Sequence, residues 1–210
     1  MKKIILHACC APCASYPIKK LIEDNYKPVV FFYNPNIFPL EEYEIRRVEL
    51  EKYCKKIGVE YFEGEYEIKK FYEAIKGFEQ EPEKGKRCSI CFNLRLDKTA
   101  QFAKEQGVNC FTTTLSVSPH KNSNQIFKEG KLIAQKYGVE FLEYNFKKQN
   151  GFKISRTIAK QNNMYAQSYC GCKSSRTQSL ARLGLDWEDL QKCVLNWRGK
   201  RWAYKTQFLI

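Results

Sequence analysis

Lys3-Ile4-Ile5-Leu6-His7-Ala8-Cys9-Cys10-Ala11-Pro12-Cys13 reads as a short buried strand that turns directly toward a helix. A brief apolar run bounded by a turn fits a strand covered on both faces. From Ser15 to about Asn25, Ile18, Leu21 and Ile22 recur at helical spacing, with Pro17 tolerated in the first turn. A strand feeding a helix is the opening move of an α/β unit, and the chain repeats it. Apolar strand segments at 28–33, 59–62, 108–115 and 139–144 alternate with helical segments at 41–57, 67–78, 91–106 and 123–137. Such alternation predicts a Rossmann-like, open, parallel five-stranded sheet with helices on both faces. A charged loop from Glu79 to Arg87 delivers Cys88, and Ser123 or Asn124 is expected to cap the helix ending at Tyr137. After Asn145 the pattern turns basic and polar. Helices are expected near Ser155–Gln161, Ser174–Gly184 and Trp187–Trp197. The expected organisation is an α/β domain over 1–145 and a mostly helical region over 146–210 packed on it.

A chain of 210 residues buries a real core without covalent staples. Its ten cysteines therefore need another reason. The basic start Met1-Lys2-Lys3 precedes an apolar run too short for a secretion signal. No run approaches the roughly 18–20 apolar residues that span a membrane. The expected setting is the reducing cytoplasm, where clustered cysteines mean metal or redox chemistry rather than a disulfide framework. The net charge of +13 predicts a polyanionic partner, with nucleic acid first. A lysine-rich surface serving only solubility is the plainer reading of the same charge.

Seven cysteines fall in three groups: Cys9-Cys10-x-x-Cys13, Cys88-x-x-Cys91 and Cys170-Gly171-Cys172. The Cys88/Cys91 spacing suits two thiolates on one zinc or two corners of an iron–sulfur cluster. Cys9 and Cys10 would complete four ligands. Adjacent cysteines clamp one tetrahedral zinc poorly, which favours a cluster. Cys170 and Cys172 can close a small, easily reduced disulfide ring around Gly171, or act as further ligands. Cys13 is a candidate ligand of a second metal, or a buried neighbour. Cys54, Cys110 and Cys193 fall on apolar stripes or in a strand and read as small core residues.

Ligands of open parallel sheets bind beyond the carboxyl ends of the strands. That rim gathers the first cysteine loop, Asn34-Pro35-Asn36 and the Thr112–Thr114 stretch. Asn34, Asn36, Thr113, Ser118 and Lys121 are candidate substrate contacts, as is Arg156, which with Lys160, Lys173 and Arg176 could also meet a nucleic-acid backbone. His7 could donate to sulfur or be a satisfied core histidine, and His120 reads as a loop residue. No GxxxxGK[ST] loop occurs, so ATP hydrolysis is not expected.

Taken together, His7-Ala8-Cys9-Cys10-Ala11-Pro12-Cys13, Asn34-Pro35-Asn36-Ile37, Arg87-Cys88-Ser89-Ile90-Cys91 with Arg95-Leu96, Thr112–Leu115 with Ser118-Pro119, and Tyr169-Cys170-Gly171-Cys172 resemble the QueH-type epoxyqueuosine reductases. The resemblance implies a Rossmann-like fold related to the PP-loop enzymes. It implies a cobalamin-independent iron–sulfur enzyme that reduces epoxyqueuosine to queuosine in the tRNA anticodon, the last step of queuosine synthesis. It further implies a [4Fe–4S] cluster on Cys9, Cys10, Cys88 and Cys91, an adjacent mononuclear iron drawing on Cys13, and a redox pair of Cys170 and Cys172. The implied partners are tRNA and an electron donor. Two rivals stand on the residues alone: a zinc-stabilised RNA-binding module and a metal-free thiol–disulfide oxidoreductase.

Overall fold

A computed structural model describes residues 1–182, with side chains described to 178. Five strands, β1 (Lys2–His7), β2 (Tyr26–Phe32), β3 (Glu60–Glu63), β4 (Cys110–Thr113) and β5 (Glu140–Phe141), form one sheet in the order β3-β2-β1-β4-β5. Every pairing is parallel. The expected fold class is borne out. The helices are α1 (Ala11–Glu23), α2 (Leu40–Ile57), α3 (Ile68–Ala74), α4 (Lys86–Glu105), α5 (Ser123–Tyr137), α6 (Gly151–Gln161) and α7 (Lys173–Arg182), with a 3₁₀ turn at Thr114–Val117.

Alternation along the central strands divides the core between the two sheet faces. Ile4, Leu6, Val30 and Phe32 share one cluster with Ala11, Ala14 and Ile18 of α1 and Tyr43 and Leu50 of α2. Ile5, Val29, Phe31 and Phe111 share the other with Leu96 and Ala100 of α4 and Ile126 and Ile133 of α5. Strands this short, buried on both faces, read as continuous apolar runs. Cys54 and Cys110 are fully buried in the first cluster, as expected of small core residues. Cys193 and the helix expected at 187–197 lie outside the described residues.

Helix starts are where the local reading fails. α1 begins at Ala11 rather than Ser15, so Cys13 lies in its first turn and Pro17 lies inside the helix. α4 begins at Lys86 rather than Cys91, so Cys88 is helical and not part of the preceding loop. Neither helix has a side-chain cap: Cys10 and Gly85 hold the N-cap positions in extended backbone. Without a capping Ser, Thr, Asp or Asn, the usual boundary marker is missing. At α5 the cap is Asn122, whose Oδ1 accepts from the amides of Asn124 and Gln125. α6 begins four residues before its expected start, at Gly151. Residues 146–161 share the core of the sheet unit: Phe146 packs against Tyr16, their rings 6.5 Å apart. Among the described residues no helix is long and apolar enough to cross a membrane.

Candidate active site

The strand order reverses between β1 and β4, and there the two connections leaving their carboxyl ends diverge. The loop after β1 carries Cys9 and Cys10. Cys13 follows one turn into α1, on the side of the helix that Cys10 enters. The three Sγ atoms lie within 4.8 Å of one another, two of the residues buried and Cys13 half-buried, and this trio can hold a metal ion. Cys9 and Cys10 Sγ are 3.9 Å apart. Cys88 and Cys91 sit three residues apart in the first turns of α4, so they share a side of that helix.

Six of the seven thiols, Cys9, Cys13, Cys88, Cys91, Cys170 and Cys172, line a single cavity of about 640 Å³. Cys10 is buried behind it. Cys91 and Cys172 also share a small apolar cluster with Phe71 and Ile75. All nine described cysteines carry free thiols.

Electrostatics in the metal-free trio is uneven. Donation from the Cys10 and Cys13 thiols, aided by Arg95 and Lys121 and opposed by burial, holds Cys9 well below the usual thiol range. Burial first, and then Cys13 and Cys9, push Cys10 up. Cys13 is pushed up to about 12: the bond with Cys10 opposes, but Cys9 and burial outweigh it. Burial pushes Cys91 up to about 12, against the pull of Arg95. Buried Arg95 and half-buried Lys121 face sulfur. Arg95 is buried, with its Nη1 4.0 Å from Cys91 Sγ. Burial works against its charge and against that of Lys121, while negative charge on the neighbouring sulfurs, Cys9 among them, favours both cations. A Cys9 thiolate beside two cations suits a thiolate-bound metal centre, since desolvated charges survive only when paired.

The expected substrate contacts divide. Asn36, Ser118, Lys121 and Arg156 line the cavity, and so does His120. Asn36 is fully buried there, with neither side-chain polar atom bonded. Asn34 and Thr113 do not line the cavity; both are spent on the frame. Asn34 Nδ2 donates to the Ala8 carbonyl at 2.9 Å, and its Oδ1 accepts from Arg95 at 2.6 Å. Thr113 Oγ1 lies 2.8 Å from His7 Nδ1 and accepts from the Leu115 amide at 3.1 Å. His7 Nε2 meets the Tyr33 carbonyl at 3.2 Å. A carbonyl only accepts, so Nε2 carries the proton and Nδ1 accepts from Thr113. Burial, then Arg95, holds the imidazole down to about 3, so it stays neutral. His7 is thus a satisfied core histidine rather than a donor to sulfur. Thr112 and Ser116 are likewise spent on the carbonyls of Leu142 and Tyr144, at 2.8 and 2.6 Å.

Two functional side chains, Arg46 and Gln167, escaped the motifs. Arg46, fully buried, pairs with Glu42 at 2.7 Å and donates to the carbonyls of Cys170 and Tyr169 at 3.0 and 3.1 Å. It thereby clamps the Cys170/Cys172 loop to α2. Its sequence signal was its place on the Tyr43, Leu50, Cys54 stripe, where an arginine needs an internal partner. Gln167 Nε2 donates to Cys10 Sγ at 2.9 Å, and nothing in its surroundings in the sequence marks it. Arg87, buried beside Cys88, donates to the carbonyls of Glu79, at 2.8 Å, and Glu81, which shapes the loop ahead of α4. Gly171, at φ +134°, completes the clamp. A Cβ there would lie 3.0 Å from Ile37 and 3.1 Å from the Asn36 amide, and the Gly171 carbonyl accepts from Phe38 N at 2.9 Å.

A thiol-lined cavity at the carboxyl edge of a parallel sheet defines an α/β protein with a cysteine-rich site able to hold a metal. A protein of Methanocaldococcus jannaschii described as a predicted subunit of tRNA methyltransferase has a similar fold, with a TM-score of 0.53 and 13% identity over 88% of this chain and 90% of that one. The family model for Epoxyqueuosine reductase QueH matches residues 4–178, and the chain belongs to that family. Relatives include Epoxyqueuosine reductase QueH of Haemophilus influenzae, 38% identical across 84% of this chain and 73% of its own length. That of Thermotoga maritima is 39% identical, across 82% and 89%. The chain is an epoxyqueuosine reductase, acting on epoxyqueuosine in tRNA during queuosine biosynthesis.

Proposed function

We propose that the thiol-lined cavity is the seat of the reduction, in the tRNA anticodon and as the last step of queuosine synthesis. We assign a [4Fe–4S] cluster to Cys9, Cys10, Cys88 and Cys91, a neighbouring iron to Cys13, and a redox dithiol to Cys170 and Cys172. The observation that carries the reading is the convergence of six motif thiols, from three distant segments, on one cavity. Its volume falls in the range of small-molecule sites and accommodates an unstacked nucleoside.

The donor set fits the metals. Thiolates are the ligands that iron–sulfur clusters take, and Arg95 and Lys121 offset the negative charge that such a centre carries. When bound, these metals supply electron transfer and Lewis acidity toward the epoxide oxygen. The protein does the rest. Arg46 and Gly171 fix the Cys170/Cys172 loop at the cavity wall. Gln167 orients Cys10. Lys121 presents an ammonium to the oxygen that leaves carbon, and Asn36 offers an unspent amide. Opening an epoxide to an alkene and water consumes two electrons and two protons. Oxidation of the Cys170 and Cys172 thiols to a disulfide releases two of each, so the step balances. An electron donor then restores the dithiol. We place the protein in the cytoplasm, where thiols stay reduced.

The closeness of Cys9, Cys10 and Cys13 favours one variation, in which all three serve one metal and Cys88 with Cys91 completes the other. Iron and acid-labile sulfide counts on anaerobically purified variants separate the two. On the assignment above, Cys91→Ser loses cluster, sulfide and turnover together, whereas Cys13→Ser loses one iron and keeps the sulfide. A cluster-free Cys91→Ser protein that still reduces epoxyqueuosine-containing tRNA overturns the proposal.

A further inference from the structure

α6 docks on α1 through a stripe of small residues. Gly151, Ser155 and Ala159 are buried at four-residue intervals, and a Cβ on Gly151 would collide with the Phe146 carbonyl and the Tyr16 ring. The helix docks through this stripe with Ile154 and Ile158 packed beside it against the core. Yet it carries Phe152, 42% exposed, beside Lys153, Arg156, Thr157 and Lys160, all exposed. Phe152 and Arg156 stand one turn apart on the same side of α6, and both line the mouth of the thiol cavity. Lys84 and His120, also exposed, and half-buried Lys121 line the same cavity. The cavity is thus lined by sulfur, and its exposed lining carries Arg156 and Lys84 with the Phe152 ring, half-buried Glu83 being the one carboxylate among the described residues of that lining.

We propose that this rim is a single-strand RNA platform: the base next to the modified nucleotide stacks on Phe152, and the adjoining phosphates meet Arg156 and Lys84. An aromatic face among cations is the arrangement that binds unstacked nucleotides, because every base has a π-face and every nucleotide a charge. A modified base lowered into the cavity must leave the loop stack, and its neighbour then loses a stacking partner. Phe152 replaces that partner. The charge complementarity with RNA and the continuity of rim and cavity commit the surface to this occupant. The inference rests on the cavity receiving the nucleoside.

The test is a binding cycle on the anaerobic holoprotein. Affinity for epoxyqueuosine-containing tRNA is measured by fluorescence anisotropy for wild type, Phe152→Ala and Phe152→Trp. Each protein meets three tRNAs: intact, and abasic at either nucleotide flanking the modified one. Phe152→Ala should weaken binding of the intact tRNA about 5- to 100-fold, and Phe152→Trp should restore it. The penalty should collapse to under twofold on one abasic tRNA and persist on the other. Arg156→Ala should lower the salt slope of binding by about 0.7–1. An equal penalty on all three tRNAs, or none on any, overturns the platform. So does unchanged binding with a lowered melting temperature, which would assign Phe152 to packing within the chain. If the cavity is not the reaction site, Cys91→Ser shows it by turnover and metal content, independently of this cycle.

Discussion

Arg46→Met tests the clamp on the dithiol loop. Arg46 and Glu42 are both buried, 2.7 Å apart, and Glu42 also accepts from the Tyr165 hydroxyl at 2.7 Å. The Tyr165 amide donates to Glu49 of the same helix at 2.6 Å. The Tyr169 ring lies under the Arg46 guanidinium, 5.3 Å from its centroid. The segment that carries the CxC pair is thus tied to α2 through a few polar contacts, with Arg46 at their centre. Methionine fills a similar volume but leaves Glu42 charged and unpaired, and two carbonyls without donors. Removing one partner of a buried pair costs about 3–5 kcal/mol. At ~2–4 °C per kcal/mol for a chain of this size, the melting temperature should fall by ~6–20 °C. Adding Glu42→Gln removes the stranded charge while keeping an acceptor for Tyr165. It should recover at least ~1.5 kcal/mol, because the penalty is mainly that of an unpaired charge. Thermal unfolding of the three proteins gives the energies, and hydrogen–deuterium exchange mass spectrometry shows where they act. Residues 165–172 should exchange faster in Arg46→Met while the β1 and β2 peptides stay protected. A melting temperature within 3 °C of wild type, or unchanged protection at 165–172, refutes the clamp.

Three further substitutions separate strain from ionisation. Gly171→Ala should cost about 1–3 kcal/mol from its φ of +134°, and should also lower turnover, because the new Cβ presses on Ile37 and the Asn36 amide. Gly58→Ala, at φ +69° with nothing within 4 Å, should show the backbone cost in a thermal melt with turnover unchanged. Burial pushes the Cys54 thiol up to about 12, above its value in the unfolded chain. Its contribution to stability is therefore complete below about pH 9 and lost as pH rises toward 12. Denaturant titrations of Cys54→Ala across pH 8–11 should show a flatter alkaline decline than wild type, and an equally steep decline would assign that limb to other groups.

The parts legible from sequence were those set by neighbours in the chain. Strand segments followed from short apolar runs between turns, and their parallel order followed from the helices between them. The three cysteine groups announced themselves by spacing, and the sheet rim by topology, so the site's position was readable before any contact was known. Helix starts were not, because Cys10 and Gly85 cap α1 and α4 without a capping side chain.

Chemical type did not decide which polar rim residues face the cavity. Asn34 and Asn36 are two residues apart with the same side chain, yet Asn34 is consumed by Ala8 and Arg95 while Asn36 faces the cavity. Thr113 and Ser118 divide in the same way. By itself the sequence determined that the first cysteine loop would stand at the carboxyl edge of a parallel sheet, since local periodicity and crossover topology suffice for that, while the meeting of the three cysteine groups was what the family resemblance implied. Only the tertiary structure decided how the CxC loop is held: by Arg46, 124 residues from its carbonyl partner at Cys170. The physical reason is desolvation. A buried guanidinium must find acceptors wherever packing supplies them, and packing across the molecule leaves no trace in local spacing.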